Sequence, residues 1–180
     1  MQRTSKSIIP LLLLAILWSC NNQESQNEVK SITKHLAMTK EIAILNKASV
    51  KAFFTALENE NVEALVALFA DQGKQINPYH SGLFPTGANG KEEIRAYWTP
   101  VFPNFAGMTF PIDEIYAMEN PKMVFVKYTG NIQLKNDAGV YSNQYYSTFK
   151  FNDEGKIEEY VEIFNPIVAA RGFGLLDKIK

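Results

Sequence analysis

Between Met108 and Phe164 the chain is written at the period of a β-sheet. Four segments, MTFPIDEIYAME, KMVFVKYTGNIQLKN, VYSNQYYSTFKFN and KIEEYVEIF, are rich in β-branched and aromatic residues, which suit a pleated, half-buried surface. Turn formers separate them: Glu119-Asn120-Pro121, Asn136-Asp137-Ala138-Gly139 and Asn152-Asp153-Glu154-Gly155. Connections this short join antiparallel neighbours, because a parallel pair needs a crossover of a dozen residues or more.

The residues ahead of these strands carry a helical period. In EIAILNKASVKAFFTALENEN, Ile42, Leu45, Val50, Phe53, Phe54 and Leu57 recur at spacings near three and four, which predicts an amphipathic helix. Asn61 then offers an N-cap for a short second helix over NVEALVALFA. GKQINPYH reads as a strand ending at Pro78, and the glycine-containing loop SGLFPTGANG follows. KEEIRAYW predicts a third helix through about Trp98, stopped by Pro100 and Pro103. Helices followed by a run of strands argue for an α+β domain with the helices on one face of a curved sheet. With 46% hydrophobic residues among 180, the chain has enough apolar material for one such core. No internal repeat and no second domain is visible.

Composition narrows the chemistry. The net charge of −1 gives no basic footprint for nucleic acid. Two histidines and one cysteine are too few for a Cys/His zinc site or an intramolecular disulfide. The cysteine is informative through its position. MQRTSKSIIPLLLLAILWSC begins with Arg3 and Lys6, continues with an apolar run from Ile8 to Trp18, and ends in Leu17-Trp18-Ser19-Cys20. The run is short for a membrane span but suits a signal peptide. The junction resembles the lipobox of bacterial lipoproteins, although Trp18 is larger than usual there. The resemblance implies a signal peptide over 1–19, a lipidated Cys20 as mature N-terminus, and a site in the bacterial cell envelope, lipid-anchored to a membrane on its periplasmic or surface side. A plain secretory signal or a short N-terminal anchor is the alternative. Residues 20–40, including NNQESQNEVKSITKHLAMTK, are polar and read as a tether, with the folded domain spanning 41–180.

Within the domain, Glu162 is the most pointed residue. It stands between Val161 and Ile163 near the end of the last strand, where an ionised carboxylate is costly to bury without partners. Alternation puts Ile157, Glu159, Val161 and Ile163 on one face and Glu158, Tyr160, Glu162 and Phe164 on the other. The second face suits either an amphipathic pocket wall or a solvated surface. Asn143, Tyr145 and Ser147 share a face of the preceding strand, as pocket lining or as an ordinary cross-strand ladder. Trp98, Phe102 and Phe105 suit either a core or the helical side of a cavity. His80, beside the loop, is an exposed residue or a group titrating near neutrality.

The order of elements resembles the cone of the nuclear-transport-factor-2-like (NTF2-like) superfamily: three N-terminal helices packed on a curved, mostly antiparallel β-sheet. FPTGANGKEEIRAYW and YSNQYYSTFKFNDEGKIEEYVEIFNPIVAARGFG are similar to its SnoaL-like branch, and within it to the phenazine-biosynthesis proteins of the PhzA/PhzB type. The resemblance spans about residues 45–175. It implies that Glu162, before Phe164-Asn165-Pro166, is an acid–base group, and that His80 (catalytic) and Ser81 (substrate-binding) lie in the substrate loop. Tyr145, Asn143, Trp98, Tyr160 and Phe164 are the accompanying candidates for substrate contact. The carboxylate that ketosteroid isomerases carry near the first strand has no counterpart between Gly73 and His80. The implied activity is cofactor-independent isomerase- or cyclase-type proton transfer on a small, mostly apolar cyclic or carbonyl ligand, by a homodimer. No motif requires a metal or an organic cofactor. A non-catalytic ligand-binding or interaction lipoprotein is the alternative.

Overall fold

The computed structural model describes the backbone of residues 10–135 and 139–179, and side chains from residue 23 onward within those ranges. The Cys20 side chain, the start of the expected signal peptide and most of the expected turn at 136–139 therefore lie outside the described residues. Two compact units divide between Lys40 and Glu41. Helix α1 runs Pro10–Glu58. Its residues 23–38, inside the expected tether, are helical and exposed. Among the described residues, no helix is long and apolar enough to cross a membrane.

In the unit beginning at Glu41, α1 buries Val50, Phe53, Phe54 and Leu57. Leu45 is 61% exposed, against the expectation that it joins this face. Its place is taken by Asn46, whose Nδ2 donates to the Pro121 carbonyl at 3.0 Å, so a polar residue with a partner occupies the buried position. Helix α2, Val62–Ala67, is capped by Asn61, whose side chain accepts from the Ala64 amide at 2.9 Å. Strand β1 spans Phe69–Ile76, β2 Gly87–Asn89 and helix α3 Gly90–Trp98. Then come β3, Phe105–Thr109; β4, Ile112–Ala117; β5, Met123–Leu134; β6, Val140–Phe151; and β7, Ile157–Phe164. Helix α4, Pro166–Gly172, follows.

The sheet order is β2-β1-β7-β6-β5-β3, with β4 also paired to β5. Among the described residues, only β1 and β7 pair in parallel; the other neighbours are antiparallel. The segment read as one strand, MTFPIDEIYAME, is two. Pro111 separates β3 from β4 because it cannot donate to a ladder, and each half pairs with its own stretch of β5. Long β5 and β6 alternate strictly, with Val124, Val126, Tyr128, Tyr141, Tyr145 and Phe149 buried on the inner face.

β7 departs from simple alternation. Its partner pairs Phe151 with Ile157 but Lys150 with Glu159, so β7 carries an extra residue near Glu158. Such a bulge shifts the faces on one side of it by one. Ile157 therefore joins Tyr160 on the inner face, both 0% exposed, instead of sharing a face with Val161 and Ile163. Beyond the bulge the expected parity holds, and Tyr160, Glu162 and Phe164 point inward.

Candidate functional site

The inner face of the sheet, α3, the end of α1 and the C-terminal segment enclose a cavity of about 430 Å³. Most of its wall is apolar: Leu57, Phe84, Pro85, Trp98, Val101, Phe105, Met108, Phe110, Ile132, Leu134, Phe164, Ala169, Phe173 and Leu175. Its polar groups are Tyr97, Asn104, Tyr141, Tyr145 and Glu162. Among the described residues, Glu162 is the sole carboxylate on this wall, and no Lys, Arg or His lines it.

Glu162 is held by phenols. Its Oε1 accepts from Tyr160 Oη at 2.8 Å and from Tyr128 Oη at 3.3 Å. Tyr128 and Tyr160 stand 3.0 Å apart at their oxygens, and Ser147 Oγ is 3.4 Å from Tyr128 Oη. Tyr128, Tyr160 and Ser147 are buried. The register explains the cluster, since Ser147 pairs with Glu162 across β6–β7 and Tyr128 pairs with Tyr145 across β5–β6. Oε2 of Glu162 takes no hydrogen bond from a described residue. The cavity leaves part of the carboxyl surface open, while protein surrounds the group closely enough to strip most of its hydration.

That loss of hydration raises the Glu162 pKa above the usual carboxylate value, and the hydrogen bonds from Tyr160 and Tyr128 offset it in part. Burial, with the charge of Glu162 behind it, also raises Tyr97, Tyr128 and Tyr160. Tyr145 is raised by burial first and then by Tyr141 and Glu162. These phenols therefore remain neutral donors at physiological pH.

A second polar group lies along β6. Tyr141 and Tyr145 hydroxyls are 2.8 Å apart. Asn143, buried between them in sequence, donates through Nδ2 to Tyr141 Oη at 2.8 Å and to the Asn165 carbonyl at 3.0 Å. Tyr145 stacks on Tyr128, ring centroids 4.9 Å apart and ring planes nearly parallel.

The candidates read from sequence distribute unevenly. Glu162, Tyr145, Trp98 and Phe164 meet at the cavity wall. Tyr160 stands behind Glu162 and holds it. Asn143 stands behind Tyr141 and does not line this cavity. Phe102 stacks behind Trp98, 5.6 Å between rings, whereas Phe105 reaches the wall. His80 and Ser81 occupy the turn after β1 and are not on the wall. His80 Nδ1 accepts from the Gly82 amide at 3.1 Å, and Ser81 is exposed with φ of 51°. The loop reaches the cavity instead through Phe84 and Pro85, with Phe84 edge-on to Phe164 at 5.6 Å.

Sequence reasoning missed Tyr97, Tyr128, Tyr141 and the C-terminal closure by Ala169, Phe173 and Leu175. Two of these had a signal. Tyr128 has the parity of Val124 and Val126 on β5, and Asn165-Pro166 is an N-cap followed by proline at the first helical position. The Asn165 side chain accepts from the Ile167 and Val168 amides at 3.0 and 3.3 Å. Among the described residues, no three His, Cys, Asp or Glu side chains converge as metal ligands do.

Residues 50–160 match the model of the SnoaL-like domain. A search of curated proteins finds no match. Among solved structures the fold recurs in a phenazine biosynthesis-related protein of Pseudomonas aeruginosa, with TM-score 0.68 and 17% identity over 78% of this chain and 92% of that one. It recurs in the pinacolase BvnE of Penicillium brevicompactum, with TM-score 0.65 and 14% identity over 77% and 96%. A third is an NTF2-like protein of Burkholderia pseudomallei, with TM-score 0.60 and 18% identity over 71% and 95%. At these identities the likeness is one of fold: an α+β, NTF2-like cone in which a fourth helix, α4, follows the expected three. With more than half of its length matched by the domain model, this chain belongs to the SnoaL-like domain family.

Proposed function

We propose that the cavity binds a small, mostly apolar ring compound and that Glu162 moves a proton on it, adding no cofactor, in an isomerase- or cyclase-type reaction. The observation that carries this reading is Glu162 itself. Its carboxyl sits on an apolar wall, hydrogen-bonded by Tyr160 and Tyr128 at Oε1, with Oε2 turned to no described partner. A carboxyl raised by desolvation is closer to the proton affinity that general acid–base catalysis near neutrality requires. A carboxyl oxygen that no described residue hydrogen-bonds, on an apolar wall, suits removal of a proton beside a carbonyl. The test is solvent-deuterium exchange at the carbon next to the carbonyl in β-tetralone and related cyclic ketones, followed by NMR. Protein-dependent exchange that Glu162→Gln abolishes supports the reading. Ketones that bind without any exchange would sink the catalytic part of it.

A binding-only reading has one specific observation in its favour: among the described residues, Glu162 is the sole titratable group on the wall other than tyrosines, because His80 and Ser81 lie off it. In that case saturable binding persists and Glu162→Gln has no turnover to remove.

Cys20 carries lipid and fixes the chain to a bacterial envelope membrane, a reading supported by the order Arg3, Lys6, apolar run, Ser19-Cys20. Cys20→Ser releases the protein from the membrane fraction or leaves its signal uncleaved; an unchanged mass and membrane association would contradict this. The domain pairs as a homodimer through the outer sheet face. Support comes from neighbouring outward residues in register: Tyr116 opposite Phe125, and Tyr146 opposite Ile163, with Tyr116 56% and Tyr146 40% exposed. Sedimentation at micromolar concentration tests it, and a monomer would refute it.

A further inference from the structure

The cavity has a second polar feature that proton transfer by Glu162 does not use: the hydroxyl pair of Tyr141 and Tyr145. Each hydroxyl carries one proton and can accept two hydrogen bonds. One of those protons is spent on the 2.8 Å contact between the two oxygens. The amide of Asn143 supplies its own proton to Tyr141 Oη, so that contact consumes none. Whichever tyrosine donates to the other, one phenolic proton is left over, and both rings line the cavity.

The pair is also seated with care. A Cβ on Gly172 would stand 2.4 Å from Tyr141 Cδ2, and one on Gly130 would stand 2.8 Å from Tyr145 Cε2. Both rings thus lie against glycine backbone, in space that any other residue would fill. Asn143, anchored on the Asn165 carbonyl, fixes the accepting side of Tyr141. Such fixed donors at an apolar wall orient a bound oxygen at little reorganisation cost. Among the described residues the wall holds no cation to match an anion, and its one carboxylate would repel one.

We propose that the Tyr141–Tyr145 pair is a built hydrogen-bond donor that selects an uncharged ligand bearing an acceptor oxygen, such as a ketone or ether, over its hydrocarbon or carboxylate counterpart. This rests on the cavity being the ligand site and names the class of ligand it takes.

The test is isothermal titration of the full-length protein at pH 8 with three probes of similar size: α-tetralone, tetralin and α-naphthoate. The wild type is expected to bind α-tetralone about tenfold more tightly than tetralin, the worth of one modest hydrogen bond, and α-naphthoate more weakly than either. In the Tyr141→Phe/Tyr145→Phe variant the ketone preference is expected to fall to within about twofold. Equal wild-type affinity for ketone and hydrocarbon overturns the donor assignment and leaves the cavity reading standing. Naphthoate binding as tightly as the ketone overturns the exclusion of anions. Binding of none of the three overturns both the proposal and the cavity reading. Tyr97, whose hydroxyl accepts from Asn77 Nδ2 at 3.0 Å, is the competing donor. A preference that survives the double variant and disappears in Tyr97→Phe overturns the assignment to the pair. The wild-type arm decides the ligand class even where the double variant fails to fold.

Discussion

The end of β7 and the turn after β1 both supply residues to one cavity, and they do so by different rules. β7 is locked between β6 and β1, so the direction of each side chain follows from the ladder. Glu162 points inward because Tyr160 and Phe164 do, and because Ser147 faces it across the pair. The turn at 79–86 has no ladder to fix its side chains. His80 spends its Nδ1 on the turn's own backbone, Ser81 adopts a left-handed conformation at the surface, and the apolar Phe84 and Pro85 face the cavity. A polar residue in a strand of known parity has a direction that can be read; one in a turn is aimed by backbone geometry that residue types alone do not reveal.

The largest test of this contrast is functional. Glu162→Gln is expected to lower ketone-dependent proton exchange by about 10²–10⁴-fold, the usual worth of a positioned acid–base group, with ligand binding retained. His80→Ala and Ser81→Ala in the same exchange assay are expected to change the rate less than about threefold, since neither side chain lines the cavity. An effect of His80→Ala as large as that of Glu162→Gln would reverse the comparison.

A smaller effect comes from the support behind Glu162. Tyr160→Phe removes the hydroxyl that donates at 2.8 Å to Oε1. Chemical denaturation is expected to show a loss of about 1–3 kcal/mol, the cost of a buried polar group losing its partner. Because that hydrogen bond favours the charged carboxylate, the Glu162 pKa is expected to rise further in this variant. The smallest effect belongs to the turn. Ser81 at φ of 51° carries the steric cost of a left-handed residue, so Ser81→Gly is expected to stabilise by about 0.5 kcal/mol, the excess of that relief over glycine's chain entropy.

Much of the fold was legible because period and punctuation agreed. The helix over Val50, Phe53 and Leu57, the Asn61 cap, the third helix through Trp98 and the long β5 and β6 all follow from spacing and turn residues. The errors have physical causes. Leu45 has helical spacing but yields its buried place to Asn46, which finds a distant carbonyl at Pro121. Alternation misassigned Ile157 because the bulge near Glu158 adds a residue that no composition signal marks. Pro111 could have split its segment into two strands, and Asn165-Pro166 could have announced α4. The phenols around Glu162 were harder to see. Tyr128 and Tyr160 come from β5 and β7, which are not neighbours in the sheet, and only the register brings their hydroxyls together at Glu162.

Glu162 is a desolvated, cavity-facing carboxyl, and its own titration is the sharpest check on that environment. A carboxyl raised in the folded state binds its proton to higher pH than the unfolded chain does. Its contribution to stability is therefore fully present below the unfolded value of about 4.3 and is lost as pH rises through the raised folded value. Glu162→Gln should remove that part of the pH–stability slope. The decisive measurement is a carbon-13 NMR titration of the glutamate side-chain carboxyls, with Glu162 assigned by its absence in Glu162→Gln. One resonance is expected to titrate above the ordinary glutamate range and to be missing from the variant. A Glu162 midpoint indistinguishable from that of an exposed glutamate would contradict it.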